Sequence, residues 1–202
     1  MKKIIMFFAT FLIIYFVILF KLHNIEWFDN LVYMPLSKLQ SDDVTRMFTL
    51  VSAIIYLIIV ILLYFFIFYK DKKITMLVFI NLALSGLVSF ILKQIFRRPR
   101  PIDIALVKEL GFSMPSSHAF ISTTFFGFIF YLFYKKYPSN IFKKIFLIFL
   151  VIYVFLIGVS RIYLGVHYAS DVVMGFSFGI LYLVLYLKII KKYIWLINNI
   201  LI

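Results

Sequence analysis

The chain contains no cysteine, and only 14% of its 202 residues carry charge. The first absence removes disulfides, thiolate nucleophiles and Cys-ligated metals from consideration. The second removes the soluble state. Hydrophobic residues make up 65% of the sequence and the mean hydropathy is +1.08, whereas soluble chains lie nearer about 45–50% apolar. A soluble domain of this length cannot hide so much apolar surface, so the composition predicts an integral membrane protein. Acidic residues are scarce as well: eight stand against 21 Lys and Arg, for a formal net charge of +13. That excess fits nucleic acid in amount but not in distribution. The cations cluster at the ends of apolar runs, where they orient a membrane protein, and no nucleic-acid partner is expected. No low-complexity linker or short-period repeat divides the chain, so residues 1–202 are read as one domain.

A membrane-crossing helix needs about 20 apolar residues. Six runs qualify: residues 4–20, 47–69, 74–92, 119–134, 145–159 and 172–187. The expected fold class is therefore all-α, a polytopic bundle of six transmembrane helices. The first run opens with Lys2 and Lys3 in the manner of a signal peptide. It is too long for one and lacks a small-x-small cleavage pattern, and is read as a retained helix. With the N-terminus inside, the inner segments hold Lys2, Lys3, Lys70, Lys72, Lys73, Lys135, Lys136, Lys143, Lys144, Lys188, Lys191 and Lys192, with Asp71 as their one acid. The outer segments hold nine basic and seven acidic residues. Short loops rich in Lys face the cytoplasm, which predicts both termini inside.

Residues 21–46 differ from the rest. Trp27, Phe28, Leu31, Val32, Met34, Leu36 and Leu39 are interleaved with polar residues, and Pro35 is expected to act as a breaker. Short amphipathic helices on the outer leaflet and an ordinary extracellular loop both fit this pattern. His23, without matched company, reads as interfacial. Residues 193–202 either prolong the last helix or lie along the inner surface.

Three polar blocks interrupt the apolar runs: KQIFRRPRP (93–101), PSSH (115–118) and SRIYLGVHYASD (160–171). Charge at the edge of hydrocarbon is costly and is usually kept for function. In a six-span topology all three blocks fall at the outer face, so residues 93–171 can build one site. Lys93, Arg100 and Arg161 supply positive charge, with Arg97 and Arg98 nearby; a guanidinium fork matches phosphate oxygens. Pro115 suits the first turn of a helix, which would aim the backbone N–H groups of Ser116, Ser117 and His118 at an anion. His167 and Asp171 stand four apart, so a helical turn would place them on one face. Asp171 can then hold one ring nitrogen and leave the other as a nucleophile toward phosphorus, while His118 protonates the departing oxygen. The opposite protonation states of the two histidines predict a bell-shaped pH profile. A metal held by His118, His167 and Asp171 is the competing arrangement, and the surrounding cations oppose it.

These blocks resemble the three-part signature of the type 2 phosphatidic acid phosphatase superfamily, metal-independent lipid phosphatases related to vanadium haloperoxidases. Lys93, Arg100 and Pro101 match Lys-x6-Arg-Pro. Pro115, Ser116 and His118 match Pro-Ser-Gly-His, with Ser117 in the Gly place. Ser160, Arg161, His167 and Asp171 match Ser-Arg-x5-His-x3-Asp. The resemblance implies that His167 attacks, Asp171 orients it and His118 is the general acid. Lys93, Arg100, Ser116, Ser117 and Arg161 would hold the phosphoryl oxygens, with no metal and no cofactor. It further implies a bacterial cytoplasmic membrane enzyme with an extracytoplasmic site acting on a lipid phosphate. Undecaprenyl diphosphate is the first expectation, and phosphatidylglycerol phosphate and phosphatidic acid are the alternatives. A phosphatase for a different headgroup, such as lipid A, or a phosphotransferase to a lipid acceptor is the rival within enzymes. A silent lipid binder or transporter is the rival outside them; it would need the cations but neither acid nor nucleophile. No sequence feature bears on oligomeric state.

Overall fold

The structure, a computed structural model, describes residues 2–22, 24–53 and 72–200. The helices are α1 (Lys2–Lys21), α2 (Glu26–Ser37), α3 (residues 42–53), α4 (Lys72–Phe96), α5 (Ser117–Lys136), α6 (Ile141–Tyr163) and α7 (Ala169–Ile200), with one 3-10 turn at Ile102–Ile104. No strand occurs among the described residues. Five of the described helices are long and apolar enough to cross a membrane: Ile4–Lys21, Lys72–Phe96, Ser117–Lys136, Ile141–Tyr163 and Ala169–Lys192. The expected crossing at 47–69 falls outside the described residues beyond 53, as does His23. Each described span is longer than its apolar run. Hydropathy marks only the greasy stretch, whereas the helix continues into polar residues such as Lys93 and Arg161. α7 runs on to Ile200, so the tail prolongs the last helix.

α5 is the axis of the bundle, flanked by α4, α6 and α7, with α1 laid along α7. Its buried Phe125, Phe126, Phe128 and Ile129 meet Leu150, Tyr153 and Ile157 of α6 and Tyr186 of α7. Lipid tails are as apolar as these side chains, so burial alone does not hold helices together; close packing and interhelical hydrogen bonds do. Asn81 donates to the Thr124 carbonyl at 3.1 Å, and Tyr182 OH donates to the Asn81 carbonyl at 3.2 Å, tying α4 to α5 and α7. At the end that carries the polar blocks, Gly175 lets α7 approach the start of α5. A Cβ there would lie 2.7 Å from the Ser116 carbonyl oxygen. The outward faces carry exposed Phe7, Phe11, Leu87, Phe90, Ile148 and Phe155, a surface suited to hydrocarbon rather than water.

α2 departs from expectation. Pro35 lies inside the helix instead of breaking it. A proline removes only one N–H donor, and the helix has two further residues after it, so the cost is confined to its last turn. Phe28, Val32, Tyr33 and Leu36 pack on Ala119, Ile162, Ala169 and Val172, while Trp27, Leu31 and Met34 face outward. The segment is thus seated on the bundle, against α6 and α7.

Candidate active site

The polar blocks meet at one end of the bundle. Lys93 occupies the last turn of α4, and Arg97 ends that helix in the left-handed region (φ 48°) with its N–H on the Lys93 carbonyl at 2.9 Å. The loop that follows is pinned in three places: Ser113 N to Arg98 O at 2.7 Å, Leu106 N to Leu164 O at 2.9 Å, and Ser116 N to Asp171 O at 2.9 Å. Pro115 stands just outside α5, ahead of the cap residue Ser116, rather than in the first turn as expected. Between α6 and α7 the chain reverses through Gly165 at φ +64°, where a Cβ would sit 2.1 Å from the Ile104 carbonyl oxygen. Only glycine fits both that conformation and that contact. The reversal sends the N–H groups of Val166 and His167 back to the Arg161 carbonyl at 3.3 and 3.2 Å.

His167 is buried and precedes α7, so it does not share a helical face with Asp171; the pair meets across the helix start. Asp171, in the first turn, accepts the Tyr168 N–H at 2.9 Å, much as a capping-box residue reaches back to its cap. Its carboxylate lies 3.6 Å from His167 Nδ1, too far for a hydrogen bond. Ser113 closes the gap: its hydroxyl lies 3.3 Å from Nδ1 and donates a short hydrogen bond to Asp171. On the other side of the ring, Arg100 approaches Nε2 at 3.1 Å. A guanidinium can only donate, so Nε2 is an acceptor and the ring proton resides on Nδ1. Burial pushes the imidazole down to about 4, against the opposing pull of Asp171. His167 is therefore neutral at ordinary pH, with its lone pair on Nε2.

Cations surround that lone pair. Lys93 donates to the carbonyls of Phe112 and Ser113, Arg100 to those of Val166 (2.7 Å), Gly111 (3.0 Å) and Leu110 (3.1 Å). Burial holds the Arg100 guanidinium below its ordinary range, with Glu109 opposing. Arg161 is buried and paired with Glu109. Half-buried His118 lies within electrostatic reach of Arg161, His167, Arg100 and Lys93. Ser116 Oγ is fully buried with no hydrogen-bond partner among the described residues. The first-turn N–H groups of α5 have no acceptor within the helix. Ser117 is the first helical residue and not left-handed, so its Cβ costs nothing where the motif has Gly; its hydroxyl accepts from Ser89 of α4 at 2.9 Å. Lys93, Arg100, Ser116, Ser117, His118, Arg161, His167 and Asp171 lie at this one end of the bundle, whereas Arg97 is exposed and ends α4.

Three participants were not legible in the motifs: Ser113, Glu109 and Asp29. Asp29 of α2 accepts from Arg98 at 2.6 Å, and Arg98 also donates to Asp171 at 2.8 Å. Arg98 is thus a buried bridge and not a further cation of the bowl. Asp29 left one signal, as one of only eight acids in a strongly basic chain. Among the described residues no three His, Cys, Asp or Glu side chains are grouped to hold a metal ion.

Residues 74–195 match the PAP2 superfamily. Phosphatidylglycerophosphatase B of Bacillus subtilis (strain 168) is 37% identical over 116 residues, 56% of this chain and 57% of that protein. Sphingosine-1-phosphate phosphatase 1 of Mus musculus is 32% identical over 103 residues, 48% of this chain and 24% of that protein. The chain thus spans little more than half of the first relative and about a quarter of the second. Among solved structures, a transmembrane PAP2 type phosphatidylglycerolphosphate phosphatase from Bacillus subtilis superposes with a TM-score of 0.77 at 27% identity, covering 91% of this chain and 96% of that one. LpxE of Aquifex aeolicus shares the fold, with a TM-score of 0.59 at 24% identity over 77% of this chain and 92% of the other. The matched stretch takes in all four helices whose ends carry the polar blocks and amounts to well over half the sequence, and the chain belongs to the PAP2 superfamily.

Proposed function

We propose that this protein is an integral membrane lipid phosphatase working through a phosphohistidine, without a metal. The observation that carries the reading is the acceptor state of His167 Nε2 inside a ring of cations that also contains His118. Nε2 attacks phosphorus; an N–P bond forms as the P–O bond to the leaving group breaks, and His118 gives that oxygen its proton. Water then attacks phosphorus and loses a proton to His118, the N–P bond breaks, and inorganic phosphate departs with His167 neutral again. Lys93, Arg100, Arg161, the Ser116 hydroxyl and the N–H groups of Ser117 and His118 hold the oxygens on which charge grows. Asp171 and Ser113 keep the ring proton on Nδ1 throughout.

The names of the Bacillus subtilis relatives favour phosphatidylglycerophosphate as substrate, ahead of undecaprenyl diphosphate, which is the first choice on envelope logic alone. Six crossings, both termini inside and an extracytoplasmic site belong to the same proposal, supported by the inner lysine bias. The test is phosphate release by purified protein from phosphatidylglycerophosphate, phosphatidate and undecaprenyl diphosphate in one detergent. Turnover of at least one lipid is expected, with His167→Ala inactive but normally expressed. A wild-type protein that binds these lipids without releasing phosphate would identify a silent binder instead.

A further inference from the structure

The buried cluster beneath His167 holds more charge than phosphate chemistry uses. We propose that Arg98 and Asp29 are positioning residues of this site: Asp29, carried by α2, fixes Arg98, and Arg98 fixes the Asp171 carboxylate that orients His167. The proposal rests on the phosphohistidine reading above.

The geometry is closed on all sides. Asp171 uses Oδ2 for Ser113 and Tyr168 N, with His167 Nδ1 3.6 Å away, and Oδ1 for Arg98 at 2.8 Å. The same Arg98 nitrogen donates to Ser170 Oγ at 2.7 Å, and its partner nitrogen donates to Asp29 at 2.6 Å. Asp29 returns to the start of α7, accepting Ser170 N at 2.8 Å and Ser170 Oγ at 2.7 Å. Arg98 also lies over the Tyr168 ring, 3.8 Å from its centroid, which fixes the plane of the fork. Both terminal nitrogens are held by buried carboxylates, whereas those of Arg100 meet backbone carbonyls and the imidazole, so Arg98 is assigned to Asp171 and Arg100 to the phosphate. An arginine meant for lipid heads would be exposed like its neighbour Arg97; Arg98 is 6% exposed. A lysine could not hold two carboxylates in one plane.

Charge gives the arrangement a purpose. Asp29, Arg98 and Asp171 together carry −1, the complement of the single positive charge that His167 acquires on phosphorylation with Nδ1 still protonated. Removing the Asp29 charge leaves a neutral Arg98–Asp171 pair with nothing spare to balance that cation. Removing Arg98 leaves two buried carboxylates unbridged, and Asp171 loses the contact that sets its rotation. The groups bearing on the His167 ring itself are Asp171 of α7, Ser113 and Arg100 of the loop, Lys93 of α4 and His118 of α5.

The experiment compares wild type, His167→Ala, Asp29→Asn, Arg98→Gln and Arg98→Lys for phosphate release from phosphatidylglycerophosphate in detergent. Asp29→Asn and Arg98→Gln should lower kcat about 10- to 100-fold, the loss that follows from one hydrogen bond to a charged group, with KM within about threefold because the phosphate-binding cations are untouched. Arg98→Lys should recover only part of the loss. The acid limb of kcat/KM should rise in Arg98→Gln, where the Asp171 charge bears undivided on His167. It should fall in Asp29→Asn, where the Arg98 charge is no longer shared. Unchanged kcat per folded molecule and an unmoved limb, with only yield or melting temperature reduced, would overturn the proposal. Should Arg98→Gln fail to accumulate, the isosteric Asp29→Asn decides. A wild type inactive on phosphatidylglycerophosphate, phosphatidate and undecaprenyl diphosphate alike, or an active His167→Ala, sinks the phosphohistidine reading and this proposal with it.

Discussion

At the scale of single residues, the burial of His167 makes a claim about acid. Its conjugate acid is held at about 4, so the attacking neutral form persists as pH falls through the usual histidine range near 6.5. The acid limb of kcat/KM, which reports the free enzyme, should therefore lie near 4, with activity lost below it. A limb near 6.5 in the wild type would mean that the ring is not desolvated as described. Ser113 makes a second claim. Its hydroxyl bridges Nδ1 and Asp171, and a hydrogen bond to a charged group is worth about 1.5–3 kcal/mol. If that is felt in the transition state, Ser113→Ala lowers kcat by about one to two decades. A steady-state assay showing less than a twofold change would assign Ser113 to packing alone.

At the scale of elements, two turns set the site and can be tested without touching its chemistry. Gly165→Ala would force a Cβ against the Ile104 carbonyl oxygen at positive φ, costing about 2 kcal/mol or more. A lower melting temperature in detergent and loss of activity should follow together. Arg97→Gly acts the other way: glycine is at ease in the left-handed position that ends α4, so stability should hold or rise by about 1 kcal/mol. Much of this was legible beforehand. Apolar runs separated by polar blocks located α1, α4, α5, α6 and α7, and parity placed Lys93, His118 and His167 at one end. What escaped has a physical reason in each case. The pairing of His167 with Asp171 reads from spacing as one helical face, yet α7 starts only at Ala169 and a serine hydroxyl completes the link. Asp29 sits 142 residues before Asp171 on a segment whose pattern suits a membrane surface, and nothing local reveals that it is buried. Pro35 reads as a break because it lacks a donor and crowds the turn before it, yet with only two residues left in α2 that cost is confined to the last turn.

At the scale of the whole molecule, the absence of cysteine becomes an experimental asset. A single Leu110→Cys would stand at the exposed tip of the loop above the site, and Ser139→Cys between α5 and α6 at the opposite end. On intact cells a membrane-impermeant maleimide should label the first, and label the second only after permeabilisation. The reverse pattern would turn the proposed orientation over. Vanadate should inhibit turnover and EDTA should leave it unchanged, since the donor set here suits an oxyanion; loss of activity on chelation would point to metal hydrolysis.

Arg100 lies against the very nitrogen that must attack. Until an incoming anion draws the guanidinium aside, the lone pair is occupied, and the resting enzyme is sheltered from stray electrophiles. Diethyl pyrocarbonate should therefore acylate His167 slowly in the native protein and readily in Arg100→Gln, so the residue that welcomes the substrate also acts as the nucleophile's chaperone.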